Sequence, residues 1–483
     1  MDKMTKKLVL SLIAFTIVLS AFAQDAAPSD KAAKKAARKE AVKEHLEAHF
    51  KPYGFIRSYA FYDTRANKCG SEDMFYFMPL DREMVNGTDI NAVGKFGFQA
   101  ISTRLGLDIK GYKFGNTNIE AKIEADFYCL NSSGNIGTFR MRQAYAKLFW
   151  EPSEKFSHSL LIGQTWHPIA ADLANTIALE TGAPFSPFNR SAQIMYNATV
   201  GKVTFAAGFI EQLQYRSSGP EGSTNKYQRY AILPEAYAGI SVKAGGFLGR
   251  AGVSVLSIRP HYGYYSYTEK VTIPATSVTI EATDGKKYEI EVTEQDKTIK
   301  TDKKYKEWLS TVNAFVFLQY TGNIWQIKSK VAYIQSGEHM QLSGGYAATR
   351  AKDDLSYEYT PTQSVVTFLS GQVGKKFQFI GMVGYQKNLG LVGGKEMLSA
   401  GQYYFSGNSF KNVNQMMRFS PTLAYNLGKF TIAVEYDYTM AQYGGNSDGK
   451  VAVDVDFNRN GTVTKDLHWV GNHRVLAMAK FSF

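Results

Sequence analysis

The sequence predicts an all-β chain that crosses a membrane as an antiparallel β-barrel of about sixteen strands. Three observations favour this fold: a signal for export at the start of the chain, short segments in which apolar and polar residues alternate, and connections that are alternately long and short. The mean hydropathy of −0.25 agrees with it despite an aromatic content of 14%, because a membrane barrel carries its apolar residues in alternation.

Residues 1–23 are typical of a signal peptide. Three lysines precede an uncharged run from Leu8 to Ser20, small residues follow at Ala21 and Ala23, and Gln24 is the expected start of the mature chain. No later stretch has the roughly 18 apolar residues that a membrane helix needs. We therefore expect the chain in a Gram-negative outer membrane, in contact with lipid and lipopolysaccharide.

Residues 24–50 are rich in Ala, Lys and Glu and predict a short helical or flexible periplasmic extension before a barrel domain at 51–483. Val42, Leu46 and Phe50 are spaced four residues apart and form only a thin apolar seam. Two interpretations stay open: a solvated extension, and a helix that self-associates at the base of an oligomer.

The alternation is clearest at 118–127, where Ile, Ala and Phe take one face and Asn, Glu, Lys and Asp take the other, and it recurs at 429–439. An Arg or Lys on the lipid face near the bilayer midplane costs about 2–4 kcal/mol. The apolar face is therefore expected to contact lipid and the charged face to line the lumen.

Short turns alternate with long outer connections, as membrane barrels require, and the count predicts sixteen strands, with fourteen or eighteen as alternatives. The terminal Phe483, on an alternating last strand, is similar to the insertion signal of outer-membrane proteins. The predicted strands lie at 52–62, 95–110, 117–129, 139–150, 157–165, 191–200, 203–214, 229–243, 247–262, 309–321, 323–337, 362–371, 375–387, 414–426, 428–441 and 472–483.

A barrel of this size encloses water, so the charges that face its lumen are the candidate functional residues. The formal net charge of +12 favours an anion-attracting pore or a surface that faces lipopolysaccharide, and export disfavours nucleic acid as a partner. Alternatively, Glu124, Glu435 and Asp437 neutralise the lumen cations in ion pairs. The cations that alternation assigns to the lumen are Arg57, Arg104, Arg140, Arg142, Arg250, Arg418 and Arg474, with Lys122, Lys328 and Lys330.

The outer connection at 166–190 is less polar than its neighbours, and we expect it to fold into the pore as a constriction loop. It carries His167, Asp172 and Glu180, so that a basic wall opposite these acids would set a transverse field. The alternative is a loop that packs on the rim or against a neighbouring subunit.

Two further features are a candidate calcium loop and a pair of cysteines. Residues 454–466 resemble a calcium loop through Asp454, Asp456, Asn458 and Asn460, although the closing acid is missing. The two cysteines, Cys69 and Cys129, both fall near the outer rim and either pair or remain separate thiols. No Ser-His-Asx set, zinc cluster or phosphate-binding loop is evident, so neither an enzyme nor a cofactor is expected.

The segments FRMRQAYAKLFW at 139–150, LLIGQTWHP at 160–168 and PFNRSAQIMY at 187–196 resemble the DcaP-like family of trimeric outer-membrane porins, and NHRVLAMAKFSF at the end is similar to that family's last strand. The resemblance implies a sixteen-stranded homotrimer for small organic anions such as dicarboxylates. It places Arg140, Arg142 and Arg190 in the pore lining. His167 and Pro168 depart from the Ser that usually follows GQTW.

The sequence thus predicts a porin for the passive diffusion of small hydrophilic solutes, with a preference for small organic anions. The alternative is a barrel that does not transport and acts as an adhesin or structural protein through its outer loops. The long connection at 263–308 supports the alternative, because Asp284-Gly285 between two alternating runs predicts a hairpin.

Overall fold

The computed structural model describes residues 30–70, 73–128, 138–211, 217–219, 222–261, 263–352, 356–398, 412–444 and 460–483. The chain divides into two compact units between Lys51 and Pro52. The first contains helix α1 (Asp30–His49), whose composition favours helix and whose Val42 and Leu46 are exposed. None of the helices in the described part of the chain is long and apolar enough to cross a membrane.

The described part of the second unit contains one large antiparallel sheet and five two-stranded sheets, and the strands are numbered along the chain. The strands are β1 (Phe50–Asp63), β2 (Asn67–Gly70), β3 (Phe75–Pro79), β4 (Met84–Val85), β5 (Thr88–Asp89), β6 (Lys95–Gln99), β7 (Arg104–Phe114), β8 (Thr117–Asp126), β9 (Arg140–Ser153), β10 (Phe156–Trp166), β11 (Arg190–Val200), β12 (Val203–Glu211), β13 (Ser217–Gly219), β14 (Gly222–Thr224), β15 (Glu235–Ala244), β16 (Phe247–Ile258), β17 (Tyr264–Ile273), β18 (Thr276–Glu281), β19 (Lys287–Val292), β20 (Gln295–Lys304), β21 (Leu309–Thr321), β22 (Trp325–Gln335), β23 (Tyr346–Ala351), β24 (Tyr357–Gly374), β25 (Phe377–Leu391), β26 (Val413–Leu427), β27 (Phe430–Tyr443) and β28 (His468–Ser482).

Sixteen of these described strands form the barrel wall: β1, β7 to β12, β15, β16, β21, β22 and β24 to β28. The barrel closes where β1 pairs with β28, from Phe55 opposite Ser482 to Asp63 opposite Arg474. We call this pair of strands the closing seam. The sixteen-stranded barrel predicted from the sequence is confirmed.

The two faces of the wall follow the predicted alternation. On β26 and β27, Phe419, Leu423 and Val434 are about half exposed, whereas Arg418 and Glu435, on the opposite face, are buried. An apolar outer surface of this kind suits contact with lipid, because strands of a membrane barrel turn apolar residues outward and polar residues inward.

Strand bounds agree with the prediction to within a few residues at most positions, but the predicted strand at 95–110 is interrupted. Ala100–Thr103 form a turn in which the Thr103 N–H donates to the Ala100 carbonyl, 3.2 Å away. Strand β6 therefore continues β1's ladder separately from β7. The predicted strand at 229–243 also starts later, because residues 226–229 form a short helix, α2 (Lys226–Arg229).

The connections at one end of the barrel are turns of two or three residues, such as Gly201-Lys202, and those at the other end are long. Three long connections enter the lumen. We call 167–189 the inward loop and the β2–β3 segment, described at 67–70 and 73–79, the inward hairpin. The third, at 336–345, contains a 3₁₀-helix (Gly337–Met340), and its side chains are almost all buried.

Candidate functional site

The inward loop is held by polar side chains that project from the barrel wall. Lys330 Nζ donates to the Ile169 carbonyl at 2.9 Å. Glu435 accepts hydrogen bonds from the N–H groups of Ile177, at 2.8 Å, and Ala178, at 3.1 Å. A loop that satisfies its backbone groups on lumen-facing side chains lies inside the barrel, as expected from its low polarity.

The three residues singled out on the inward loop are each bound to the wall. His167 is fully buried, and its Nε2 lies 3.1 Å from Glu235 Oε1. Asp172 pairs with Arg250 at 2.8 Å. Glu180 pairs with Arg418 at 2.9 Å. The acids thus hold the loop in place, and the transverse field across open water that the sequence suggested stays a prediction.

The inward hairpin was not anticipated from the sequence. Phe75, Tyr76, Phe77 and Met78 are all buried, and the Phe75 ring packs edge-on against Phe188 of the inward loop, with centroids 4.9 Å apart. The apolar run FYFMP at 75–79 in an otherwise polar outer connection is a signal that could have revealed it, because such a run needs a surface to cover it.

A cavity of about 390 Å³ lies between the wall and these inward segments, and we call it the arginine cavity. Its wall side is cationic, because β28, β1, β7 and β9 contribute arginines and a lysine. The inward side is largely apolar. The cationic lining residues are Arg57, Arg104, Arg140, Arg142 and Lys480; the lining residues of the inward hairpin and the inward loop are Gly70, Phe75, Phe77, Leu173, Leu179, Thr181 and Phe188.

Two carboxylates neutralise part of the cationic wall. Asp126 accepts two hydrogen bonds of 3.0 Å from Arg140 and one of 2.7 Å from Arg142. Glu124 accepts from Arg142 at 2.8 Å and lies 3.6 Å from Arg104. The cavity has five lining cations, and these two acids offset two of their charges, so that the group carries a formal charge of +3.

Arg57 and Lys480 carry the unneutralised charge. They stand directly opposite each other across the closing seam, and within the described residues neither has an ion-pair partner. The Arg57 Nε donates to Ser102 Oγ at 3.0 Å. Like charges facing each other across two strands destabilise a sheet, so the stability of the barrel does not explain this pair.

The other predicted pore-lining arginines are buried within protein contacts. Arg190 is 0% exposed and lies over the rings of Trp166 and Phe188, at 4.8 and 5.2 Å. Arg474 is 1% exposed and bonds Asp63 through two contacts of 2.8 Å. Arg418 is 2% exposed and bonds both inward segments. Their exposure to the solute path stays a prediction.

The metal and disulfide predictions depend on undescribed residues. Asp454, Asp456 and Asn458 lie outside the described residues, as does Cys129, so both hypotheses stay open. Asn460 is described, and its Oδ1 accepts hydrogen bonds from Thr462. Across the described ranges, no cluster of His, Cys, Asp and Glu could hold a metal ion. Burial raises the pKa of the Cys69 thiol to about 12, which makes it a poor nucleophile.

The structure is a closed sixteen-stranded antiparallel barrel with segments that enter its lumen. No protein-family model matches the sequence, and no curated protein sequence does. The structure is similar to the outer membrane channel DcaP of Acinetobacter baumannii, with a TM-score of 0.57 and 17% identity over 90% of this chain and 97% of that chain. The resemblance predicted from the motifs is confirmed at the level of the fold.

A second similar structure is the anion-selective porin from Comamonas acidovorans, with a TM-score of 0.48 and 10% identity over 90% of this chain and 99% of that chain. OmpF of Salmonella typhi, in complex with daunomycin, has a TM-score of 0.46 and 10% identity over 90% of this chain and 97% of that chain.

Proposed function

We propose that this chain is a porin of the Gram-negative outer membrane, which passes small hydrophilic solutes and prefers small organic anions. The observation that carries the proposal is the arginine cavity with Arg57 and Lys480, two cations that form no ion pair with any of the described residues. A cavity with excess positive charge and low-dielectric walls raises the local concentration of anions. The fold shared with the DcaP channel supports passage through the barrel.

The lipid-facing surface supports the proposed location, because its exposed apolar side chains suit a bilayer and its outer connections would meet lipopolysaccharide. The homotrimer implied by the motif resemblance is part of the proposal. We expect cross-linking of the purified protein in mild detergent to give a ladder that ends at three chains, and a ladder that stops at one chain would contradict this.

The porin proposal is tested in a planar bilayer. We expect the purified protein to give stepwise conductance, and its reversal potential in a salt gradient to report a preference for anions, because the solute path passes the arginine cavity. A correctly folded barrel, recognised by its altered mobility on unheated gels, that gives no conductance would contradict the porin function.

One observation favours the second candidate function, an adhesin. Strands β17 and β20 form a ladder from Tyr264 opposite Lys304 to Ile273 opposite Gln295, and β18 pairs with β19 beyond it. The side chains described on this hairpin are nearly all exposed. If binding to a partner were the function, removal of 264–304 would abolish it, whereas a porin would keep its conductance after this deletion.

Acidification is expected to loosen the inward loop through Glu180. Burial raises the pKa of Glu180 to about 7 while Arg418 opposes the rise, with Asp437 and Arg474 also acting on it. Because the pKa is raised, Glu180 takes up a proton as the pH falls through about 7, and the ion pair with Arg418 is then lost. We expect current noise to be greater at pH 5.5 than at pH 8, and Glu180→Gln to show the noisier behaviour at both. Equal noise in the native protein at the two pH values would contradict this.

A further inference from the structure

The inward hairpin and the inward loop come from separate outer connections, yet one wall residue binds both. We propose that the inward hairpin is a second constriction element and that Arg418 is the positioning residue that holds it against the inward loop. The proposal rests on the porin function proposed above, but part of its test is independent of conductance. Arg418 lies on β26, on the lumen-facing side, and is 2% exposed.

The nitrogens of the Arg418 guanidinium are divided between three elements. Nη1 donates to Glu180 Oε1 at 2.9 Å and to the Ala183 carbonyl at 3.2 Å, both on the inward loop. Nη2 donates to the carbonyls of Tyr76, at 3.0 Å, and Phe77, at 3.1 Å, on the inward hairpin. Nε donates to Thr439 of the neighbouring wall strand at 2.8 Å. Every donor is used.

The planar shape of the guanidinium makes this arrangement possible. A rigid fork of five N–H donors can serve acceptors on opposite sides, whereas the ammonium of lysine is a single point charge. The Arg418 guanidinium also lies over the rings of Tyr76, at 4.6 Å, and Phe185, at 5.3 Å, one from each inward segment. Removing Arg418 would therefore take wall contacts away from two segments that have no chain connection near this point.

A simpler interpretation is that Arg418 only stabilises the barrel wall. Two observations weigh against it. A buried charge is costly to desolvate, and a well-packed apolar side chain is often equally stable in its place. Moreover, only one of the Arg418 hydrogen bonds, to Thr439, is made within the wall, and the other four go to the inward segments.

The position of the inward hairpin matters to the pore because it forms part of the arginine cavity. Gly70, Phe75 and Phe77 line the cavity from the hairpin, facing the cationic wall. The hairpin has other contacts with the wall, including the Arg474 Nη2, which donates to the Asp73 carbonyl at 3.0 Å, and the Tyr443 hydroxyl, which donates to the Pro79 carbonyl at 2.5 Å. Of the three wall residues Arg474, Tyr443 and Arg418, it is Arg418 that also donates hydrogen bonds to the inward loop.

The test compares Arg418→Lys with Arg418→Ala. Lysine can keep the ion pair with Glu180 but not the hydrogen bonds to Tyr76 and Phe77, so we expect it to release the hairpin alone. Alanine is expected to release both segments. Single-channel conductance should therefore rise in the order native, lysine variant, alanine variant, with a change of roughly twofold or more for alanine because a constriction limits the current.

A second measurement follows the hairpin directly in detergent, without a bilayer. Cys69 lies on the hairpin and is partly buried near Arg474, with the Arg474 Nη2 3.9 Å from its sulfur. In a Cys129→Ser background we expect a maleimide to label Cys69 slowly in the native protein. Both Arg418 variants should label faster by roughly tenfold or more, the behaviour of a segment that opens locally.

Arg250→Lys is the matched control, because Arg250 is also a lumen arginine bound to an acid of the inward loop, Asp172, but makes no hydrogen bond to the described part of the hairpin. It should leave the labelling of Cys69 unchanged. If Arg418→Ala does not fold, the labelling of Cys69 in Arg418→Lys alone tests the proposal. Unchanged labelling in the folded lysine variant, or equal acceleration in the Arg250 control, would overturn the proposal. Faster labelling in a protein that never conducts would support the positioning role and contradict the porin function.

Discussion

Replacing both Arg57 and Lys480 by glutamate is expected to change the ion preference of the proposed pore from anions to cations. These two cations face each other across the closing seam and line the arginine cavity. Each replacement changes the formal charge by two, so the cavity would pass from +3 to −1. Because the charge of a constriction sets which ions enter it, the reversal potential in a salt gradient should change sign.

The single replacement Lys480→Glu separates selectivity from stability. It places an acid opposite Arg57, and such an oppositely charged cross-strand pair contributes roughly 0.2–1 kcal/mol to a sheet. We therefore expect weaker anion preference together with a higher temperature of unfolding on heated gels. A protein that gains stability when this position is changed would indicate that the native lysine is retained for its effect on solutes.

Lys226→Glu provides the matched control for charge. Lys226 is exposed on α2, on an outer connection, and its replacement changes the formal charge by as much as Lys480→Glu does. It should leave the reversal potential near the native value. If the double variant keeps the native anion preference, the solute path does not pass the arginine cavity, and the proposed site would be wrong even if the protein conducts.

The barrel could be predicted from the sequence because each of its strands has a local pattern of apolar and polar residues. A strand with one face in lipid and one in the lumen must alternate along its own length, and β21 at Leu309–Thr321 matches its predicted bounds. The same rule assigned Arg57, Arg142 and Arg418 to the lumen side. The interruption at Ala100–Thr103 was missed, because alternation continues through a turn that depends on a backbone hydrogen bond.

The partners of the lumen charges could not be predicted, because they depend on register between distant strands and on loops that enter the barrel. Arg142 meets Glu124 and Asp126 on the neighbouring strand, whereas Arg418 meets Glu180, which is 238 residues away in sequence. Glu435, which the alternative interpretation of the sequence assigned to neutralising a lumen cation, binds the backbone of the inward loop. Alternation predicts the face on which a side chain lies, but it does not predict which residues contact that side chain inside the barrel.

The replacement Gly163→Ala is expected to prevent proper assembly of the barrel. Gly163 is the glycine of the GQTW segment, within β10, and its φ of +131° is one that side chains rarely adopt. A Cβ there would lie 2.3 Å from the Ala144 carbonyl oxygen and 2.6 Å from Tyr145 Cα, both backbone atoms of β9. The backbone strain alone costs on the order of 1–3 kcal/mol, and relief of the clash would separate β9 from β10.

Separation of β9 from β10 should also disrupt the arginine cavity. Strand β9 carries Arg140 and Arg142 and β10 ends at Trp166, and all three residues line this cavity. Gly381→Ala is the matched control: this strand glycine has an ordinary φ, and its nearest neighbour would be 4.0 Å from the added Cβ. We expect refolding into detergent to yield native-like heat-modifiable barrel for the Gly381 variant and little or none for the Gly163 variant. Equal yields from the two would mean that the β9–β10 pairing can shift to accept a methyl group, and that the glycine of this motif is not required by the backbone contact with β9.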